Sequence, residues 1–155
     1  MSEPVEGDIA PDFTLPTDNA GEFSLSAHAG SPVVLFFYPK DDTSGCTAEA
    51  IDFTAAKPQF DKLGVVLAGV SPDPVKKHGK FRNKHALGVT LISDEEKSTL
   101  NAYGVWKEKS MYGKKYMGVE RSSFLIGKDG KILKAWRKVK VPGHVDEVLA
   151  AAKDA

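Results

Sequence analysis

A single cysteine, Cys46, is the residue of this 155-residue chain whose surroundings point most directly to chemistry. It follows an apolar run, Val33 to Tyr38, which predicts a strand covered on both faces, and then a polar loop over residues 40–45. Thr43 or Ser44 can cap a helix that begins in this loop, which places Cys46 in the first helical turn. Free backbone N–H groups and the helix dipole there favour a thiolate, the form of cysteine that reacts with peroxides. Taken alone, a lone cysteine is more often a small buried apolar residue.

The elements that would position Cys46 are predicted from apolar periodicity and turn residues. They are a hairpin at 12–16 and 22–25, a strand at 33–38, a helix ending at Gly64 that Pro58 kinks or divides, a strand at 65–70, a helix at 74–87, a strand at 89–92, a helix at 98–103, a hairpin at 122–126 and 131–136, and a last helix opened by Pro142. This order predicts one α/β domain over residues 1–155, with a central mixed sheet flanked by helices and an N-terminal β-hairpin. It matches the thioredoxin-like arrangement.

Composition excludes several classes of protein. Hydrophobic residues make up 41% and charged residues 27%, as in ordinary globular proteins. No apolar run reaches the roughly 18 residues of a membrane span, and the acidic start over residues 1–6 is not a secretory signal. We therefore expect a cytoplasmic protein with no membrane partner.

Charge is unevenly distributed along the chain. Residues 1–60 hold ten acidic and two basic residues, whereas the remainder holds eleven acidic and nineteen basic ones. Lysines at 107, 109, 114 and 115 could form a nucleic-acid patch. We expect instead that the two oppositely charged parts fold onto each other, and that no nucleic acid binds.

The other potential ligands and nucleophiles carry little signal. One cysteine excludes an internal disulfide, and the four histidines do not complete a zinc site at recognisable spacings. His78 and His85 are interpreted as surface histidines. No histidine has a motif that ties it to Cys46, which disfavours a Cys–His hydrolase.

The loop that carries Cys46 resembles the active-site motif of peroxiredoxins, Pro39-x-x-x-Thr43-x-x-Cys46. The longer string from Phe36 to Glu49 is similar to the Q-type, bacterioferritin-comigratory subgroup, as are the segments at 7–13, 70–73 and 120–126. The resemblance implies a thioredoxin-like fold and reduction of hydrogen peroxide and organic hydroperoxides without metal, haem or flavin. It also implies a monomer.

The resemblance also implies roles for individual residues. Cys46 would attack the terminal peroxide oxygen and become a sulfenic acid, and its backbone N–H would donate to the peroxide. Thr43 would hydrogen-bond the thiolate and the peroxide, and Pro39 would shield the site. Arg121 would stabilise the thiolate and the charge on the departing oxygen, although it could instead be a surface partner of Glu120.

The chain departs from the subgroup at the cysteine that would resolve the sulfenic acid. The two positions where relatives carry it are Ile51 and Arg82 here. The resemblance therefore implies a one-cysteine peroxidase, whose sulfenic acid is resolved by an external thiol such as thioredoxin, glutaredoxin or a small thiol, or by the Cys46 of another molecule. Overoxidation of Cys46 to sulfinic acid is a competing fate.

Two other functions use the same fold. A thiol–disulfide oxidoreductase needs Cys-x-x-Cys at this helix start, but the first position is Thr43, and Ser122 replaces the proline usual in thioredoxins. A redox sensor without turnover, or a thioredoxin-like binding module, shares the first chemical step. Repeated turnover with a donor thiol separates an enzyme from these.

Overall fold

The structure is a computed structural model that describes residues 3–18 and 21–155. Its strands are β1 (Thr14–Pro16), β2 (Glu22–Ser24), β3 (Val33–Phe37), β4 (Val66–Ser71), β5 (Thr90–Ser93), β6 (Trp106–Met111), β7 (Lys114–Val119), β8 (Ser122–Ile126) and β9 (Ile132–Trp136). Its helices are α1 (Ser44–Lys62), α2 (Val75–His85), α3 (Ser98–Ala102) and α4 (His144–Ala152), with a 3₁₀ turn at Ser26–His28. The central sheet has the order β5-β4-β3-β8-β9.

The apolar run of β3 occupies the middle of this sheet because both of its faces are covered. Phe36 is wholly buried in a cluster with Phe53 and Phe60 of α1, on the face that also receives α4 and the Phe81 side of α2. Its neighbour Phe37 points to the opposite face and packs against Tyr103 and Phe124. Alternation along one strand therefore builds both halves of the core.

Strand pairing brings together the two chain segments that form the candidate site. β3 pairs with β4 in parallel and with β8 antiparallel, so Phe37 lies opposite both Val70 and Ser122. The loop that leaves β3 and the residue that enters β8 therefore meet at one edge of the sheet. That residue is Arg121, and the loop leads into α1.

Most predicted elements are confirmed, including the mixed sheet and the N-terminal β1–β2 hairpin, whose turn residues 19 and 20 lie outside the described residues. α1 continues through Pro58 to Lys62, so the proline does not end it. The hairpin formed by β6 and β7 was not predicted. It makes a separate two-stranded sheet.

The expected pairing of acidic early residues with basic later ones is confirmed. Ion pairs join Glu3 to Lys107, Asp18 to Arg82, Asp42 to Lys84 and Glu49 to Arg121. Over the part of the chain that the structure describes, no helix is both long enough and apolar enough to cross a bilayer.

Candidate active site

Cys46 is the third residue of α1 and lies in its first turn. The helix begins after Thr43, whose extended backbone gives it the N-cap position, and the first helical hydrogen bond runs from Thr47 N–H to the Thr43 carbonyl at 2.8 Å. The N–H groups of the turn that holds Cys46 therefore precede the helical ladder and leave positive charge at the sulfur. Cys46 is a free thiol and only 2% exposed.

Arg121 is the side chain that contacts the sulfur. Its Nη2 donates to Cys46 Sγ at 3.2 Å, and its Nη1 donates to Glu49 Oε1 at 2.7 Å. Gly45 eases this approach, because a Cβ there would lie 3.1 Å from Nη2, closer than an ordinary van der Waals contact. The partner of Arg121 is therefore Glu49 rather than Glu120. Although burial opposes its charge, the charges of Glu49 and Cys46 raise the pKa of Arg121.

Glu49 is the buried acid of the site. It follows Cys46 by three residues, close to one helical turn, and is 0% exposed. Its Oε2 is buried without a hydrogen-bond partner among the described residues. Burial raises the pKa of Glu49 to about 7, and the charge of Arg121 offsets only part of this effect. Near neutral pH the carboxyl group is therefore divided between its protonated and ionised forms.

Thr43 and Pro39 lie on the loop before α1. The Thr43 hydroxyl donates to the Lys40 carbonyl at 2.9 Å, which closes the loop over residues 40–43, and the side chain is exposed. Pro39 is half-buried directly after Tyr38 at the end of β3. The structure thus places Thr43 and Pro39 on the loop that leads into the first turn of α1 and Cys46, whereas the roles assigned to them at the sulfur stay predictions.

A buried hydrogen-bond network, which was not predicted from the sequence, anchors this loop to the core. His78, interpreted as a surface residue, is 0% exposed, so that interpretation is wrong. Its Nδ1 lies 2.6 Å from Asp41 Oδ2, and Asp41 Oδ1 accepts from the Tyr38 hydroxyl at 2.7 Å. The Asp41 N–H donates to Asp73 at 2.7 Å.

Proton positions in this network follow from the partners. His78 Nε2 lies 2.9 Å from the Ile92 carbonyl, which can only accept, so Nε2 carries a proton. Asp41 is therefore held by hydrogen bonds to both His78 and the Tyr38 hydroxyl, and the loop that leads to Cys46 is fixed to the core.

Asp41, Asp73 and His78 also place three possible ligand atoms within 4.8 Å of one another. The carboxylate of Asp73 already accepts from the Asp41 N–H and from the Ser71 hydroxyl at 2.8 Å. Asp41 and His78 bond to each other. Hydrogen bonds within the protein thus account for this cluster without an ion.

Lys109 of β6 extends the site toward the hairpin. It is half-buried, and its pKa is lowered by burial and by the charge of Arg121, whereas Cys46 acts in the opposite direction. A second cation therefore lies within electrostatic range of the sulfur. Because β6 was not predicted as a strand, Lys109 could not be distinguished from its neighbouring lysines.

The two positions expected for a resolving cysteine lie apart from these contacts. Ile51 is on the outer side of α1 and 44% exposed. Arg82 pairs with the buried carboxylate of Asp18 and donates to the Leu87 carbonyl. Arg82 therefore ties the end of α2 to the N-terminal hairpin.

Comparison with known proteins places this geometry in a family. The AhpC/TSA family profile matches residues 6–135. The chain belongs to the AhpC/TSA family and is a peroxiredoxin. It is 50% identical to peroxiredoxin Bcp of Bacillus subtilis over 148 residues, which are 96% of this chain and 94% of that protein.

Solved structures of peroxiredoxin Q from Xanthomonas campestris show the same fold. One is 48% identical, with a TM-score of 0.87, and covers 92% of this chain and 90% of that one. A second, described as the bacterioferritin comigratory protein, is 45% identical, with a TM-score of 0.90, and covers 99% of this chain and 98% of that one. The predicted subgroup and the thioredoxin-like α/β fold are confirmed.

The Xanthomonas structures also bear on the missing cysteine of this peroxiredoxin. They include serine mutants of two cysteines separated by as many residues as Cys46 and Arg82 are here. Arg82 therefore stands at the spacing of a second cysteine in that relative. With one cysteine in the chain, this thiol-dependent peroxidase is of the one-cysteine type.

Proposed function

We propose that Cys46 is the peroxidatic cysteine and that Arg121 is its electrostatic partner. The observation that carries this proposal is the 3.2 Å contact between Arg121 Nη2 and Cys46 Sγ in the first turn of α1. The guanidinium and the free N–H groups of the turn both favour the thiolate. Both also lie where negative charge develops on a peroxide oxygen during attack.

The first step is a displacement at oxygen. The Cys46 thiolate attacks the terminal oxygen of a hydroperoxide, an S–O bond forms, and the O–O bond breaks. Cys46 becomes a sulfenic acid, and the departing hydroxide or alkoxide takes up a proton to leave as water or an alcohol. Thr43 orients the peroxide through its hydroxyl, and Pro39 limits access of water to the loop.

The second stage needs reducing equivalents from outside the chain. A donor thiolate attacks the sulfur of the sulfenic acid, an S–S bond forms, and the S–O bond breaks to release hydroxide, which takes up a proton and leaves as water. A second thiol then releases the Cys46 thiolate and leaves the donor as a disulfide. Thioredoxin, glutaredoxin and small thiols are all suitable donors. A reduced thiol pool is a property of the cytoplasm, which supports the cytoplasmic assignment.

The substrates include organic hydroperoxides as well as hydrogen peroxide. The Xanthomonas relative is described by its alkyl peroxide reduction activity, and this chain is 45% identical to it. We assign the activity to a monomer of a single domain, because Cys46, Glu49 and Arg121 contact one another within one chain.

Stopped-flow oxidation of the reduced protein, followed by mass spectrometry, tests the proposal. Hydrogen peroxide should convert Cys46 to a sulfenic acid much faster than it oxidises free cysteine, and Cys46→Ser should be inert while it keeps its fold. A thiol no more reactive than free cysteine would remove the nucleophile from the proposal. Repeated turnover with dithiothreitol separates the enzyme from a sensor that is oxidised once.

A further inference from the structure

A cavity of about 410 Å³ lies between α2 and the loop that leads to Cys46. It has the size of a cleft that binds a small molecule. We call this cavity the α2 groove, and its lining residues are Asp41, Asp42, Lys77, Lys80, Phe81 and Lys84. Asp41 is occupied by its bonds to Tyr38 and His78. The lysines and Asp42 therefore determine the charge that a ligand meets.

The lysines of the α2 groove form a row along one face of the helix. Lys77, Lys80 and Lys84 follow one another at intervals of three and four residues, which places neighbouring side chains next to each other. All three are exposed. The row extends over about two helical turns, or about 10 Å along the helix axis. It is therefore longer than one phosphate group and matches a chain of two or more.

The positive charge of α2 is only partly neutralised by the rest of the protein. The helix holds five lysine and arginine residues and no acidic residue. Arg82 and Lys84 form ion pairs with carboxylates of other elements. Within the part of the chain that the structure describes, Lys77 and Lys80 form no ion pair. Like charges three and four residues apart destabilise a helix, so a bound anion would relieve an arrangement that opposes folding.

Asp42 supplies a carboxylate at the exposed rim of the α2 groove. Its oxygens lie 2.7 Å from Lys84 Nζ and 2.8 Å from His85 Nε2. Because the Asp42 side chain is 42% exposed, its ion pair with Lys84 is weakened by water. An anion in the groove can therefore compete with Asp42 for Lys84. Asp42 precedes Cys46 by four residues, so an occupied groove would remove one tie between this loop and α2.

We propose that the α2 groove binds a small molecule with two or more linked phosphate groups. The inference goes beyond the proposed function, because this ligand is neither a peroxide nor a thiol. Lysine is a common phosphate ligand, and the phosphates would contact Lys77, Lys80 and Lys84. An organic part of the molecule would lie against Phe81, which lines the groove and is only 2% exposed. Inorganic pyrophosphate and organic diphosphates share the phosphate chemistry that the lysines require.

Isothermal titration calorimetry of the reduced protein, at low ionic strength and without added metal ions, tests the α2 groove. The probes are pyrophosphate and adenosine diphosphate. The variants are Lys80→Glu in the groove and Asp42→Asn at its rim. Asparagine tolerates the φ of 62° that Asp42 adopts, so the loop keeps its conformation. The matched control is Lys76→Glu, a charge reversal at an exposed position of the same helix outside the groove.

Lys80→Glu should weaken the binding of both probes about tenfold, because it replaces an attractive charge by a repulsive one. Asp42→Asn should tighten binding about threefold, because it removes the competitor for Lys84. A loss of folding cannot produce such a gain in affinity. Lys76→Glu should stay within about twofold of the parent, because its charge is separated from the ligand by solvent.

The two probes distinguish the sources of the phosphate groups. Tighter binding of adenosine diphosphate than of pyrophosphate would assign the α2 groove to organic diphosphates, and equal binding would assign it to the inorganic anion. Absence of binding to the parent would overturn the proposal. Equal weakening by Lys76→Glu and Lys80→Glu would also overturn it, because the probes would then respond to the overall charge of α2 rather than to the groove.

Discussion

Replacement of Glu49 by glutamine should change how stability depends on pH. Burial raises the pKa of this carboxyl from 4.5 to about 7, whereas in the unfolded chain it returns to its ordinary value. Between these two pH values the folded protein holds a proton that the unfolded chain releases. Each rise of one pH unit in this window therefore lowers the free energy of unfolding by about 1.4 kcal/mol.

Over the whole window the Glu49 contribution amounts to about 3 kcal/mol. It destabilises the folded protein fully above pH 7 and disappears below pH 4.5. The Glu49→Gln variant does not titrate at this position. Its free energy of unfolding, minus that of the parent, should therefore rise by about 3 kcal/mol from pH 4 to pH 8, on top of a constant offset from the altered contact with Arg121.

Urea unfolding of the parent and Glu49→Gln at pH 4 to 8 measures this difference directly. Glu22→Gln is the matched control, because Glu22 is exposed on β2 and its difference curve should be nearly flat. A flat curve for Glu49→Gln would refute the reasoning. It would mean that Arg121 compensates burial completely and that the pKa of Glu49 is the same in the folded and unfolded states. Carbon-13 titration of the Glu49 carboxyl would give the same answer independently.

Two further substitutions test the surroundings of the sulfur. Arg121→Ala should slow oxidation of Cys46 by hydrogen peroxide about 100-fold, the usual effect of losing one preorganised donor, while urea unfolding changes far less; a loss confined to stability would make Arg121 structural. His78→Gln should destabilise the fold by about 3 kcal/mol, because Asp41 loses its partner in the core, and should slow peroxide oxidation as the loop loosens. His85→Gln, on the same helix but bonded to an exposed carboxylate, should change neither quantity, and equal effects of the two histidine variants would contradict the anchor.

The sequence was sufficient to predict the fold where apolar runs were long and the turns were clear. The continuous apolar run from Val33 to Tyr38 predicts a buried strand. The hairpin of β8 and β9 is indicated by its turn at Gly127–Gly130. The β6–β7 hairpin was missed because its strands are mostly exposed and rich in lysine. Such strands lack the buried alternation that identifies a strand from sequence.

Within the site, local residues were easier to predict than distant ones. Cys46 and its helix start follow from adjacent residues, whereas the partner of Arg121 lies far away in the chain and depends on strand register. His78 was misjudged for the same reason. Its partner Asp41 lies 37 residues earlier, with the whole of α1 and β4 between them, and no periodicity in the sequence indicates that contact.

The charges of the site explain why a buried acid is compatible with the thiolate proposed for Cys46. A Cys46 thiolate and the Arg121 guanidinium balance each other, and both are largely removed from water. An ionised Glu49 would leave the three groups with a net negative charge, which opposes the thiolate, whereas a protonated Glu49 keeps the balance and still accepts from Arg121 Nη1. A pKa near 7 places Glu49 between these two conditions. The same carboxyl group that positions Arg121 thus determines, through its proton, how much of the guanidinium charge is available to the sulfur.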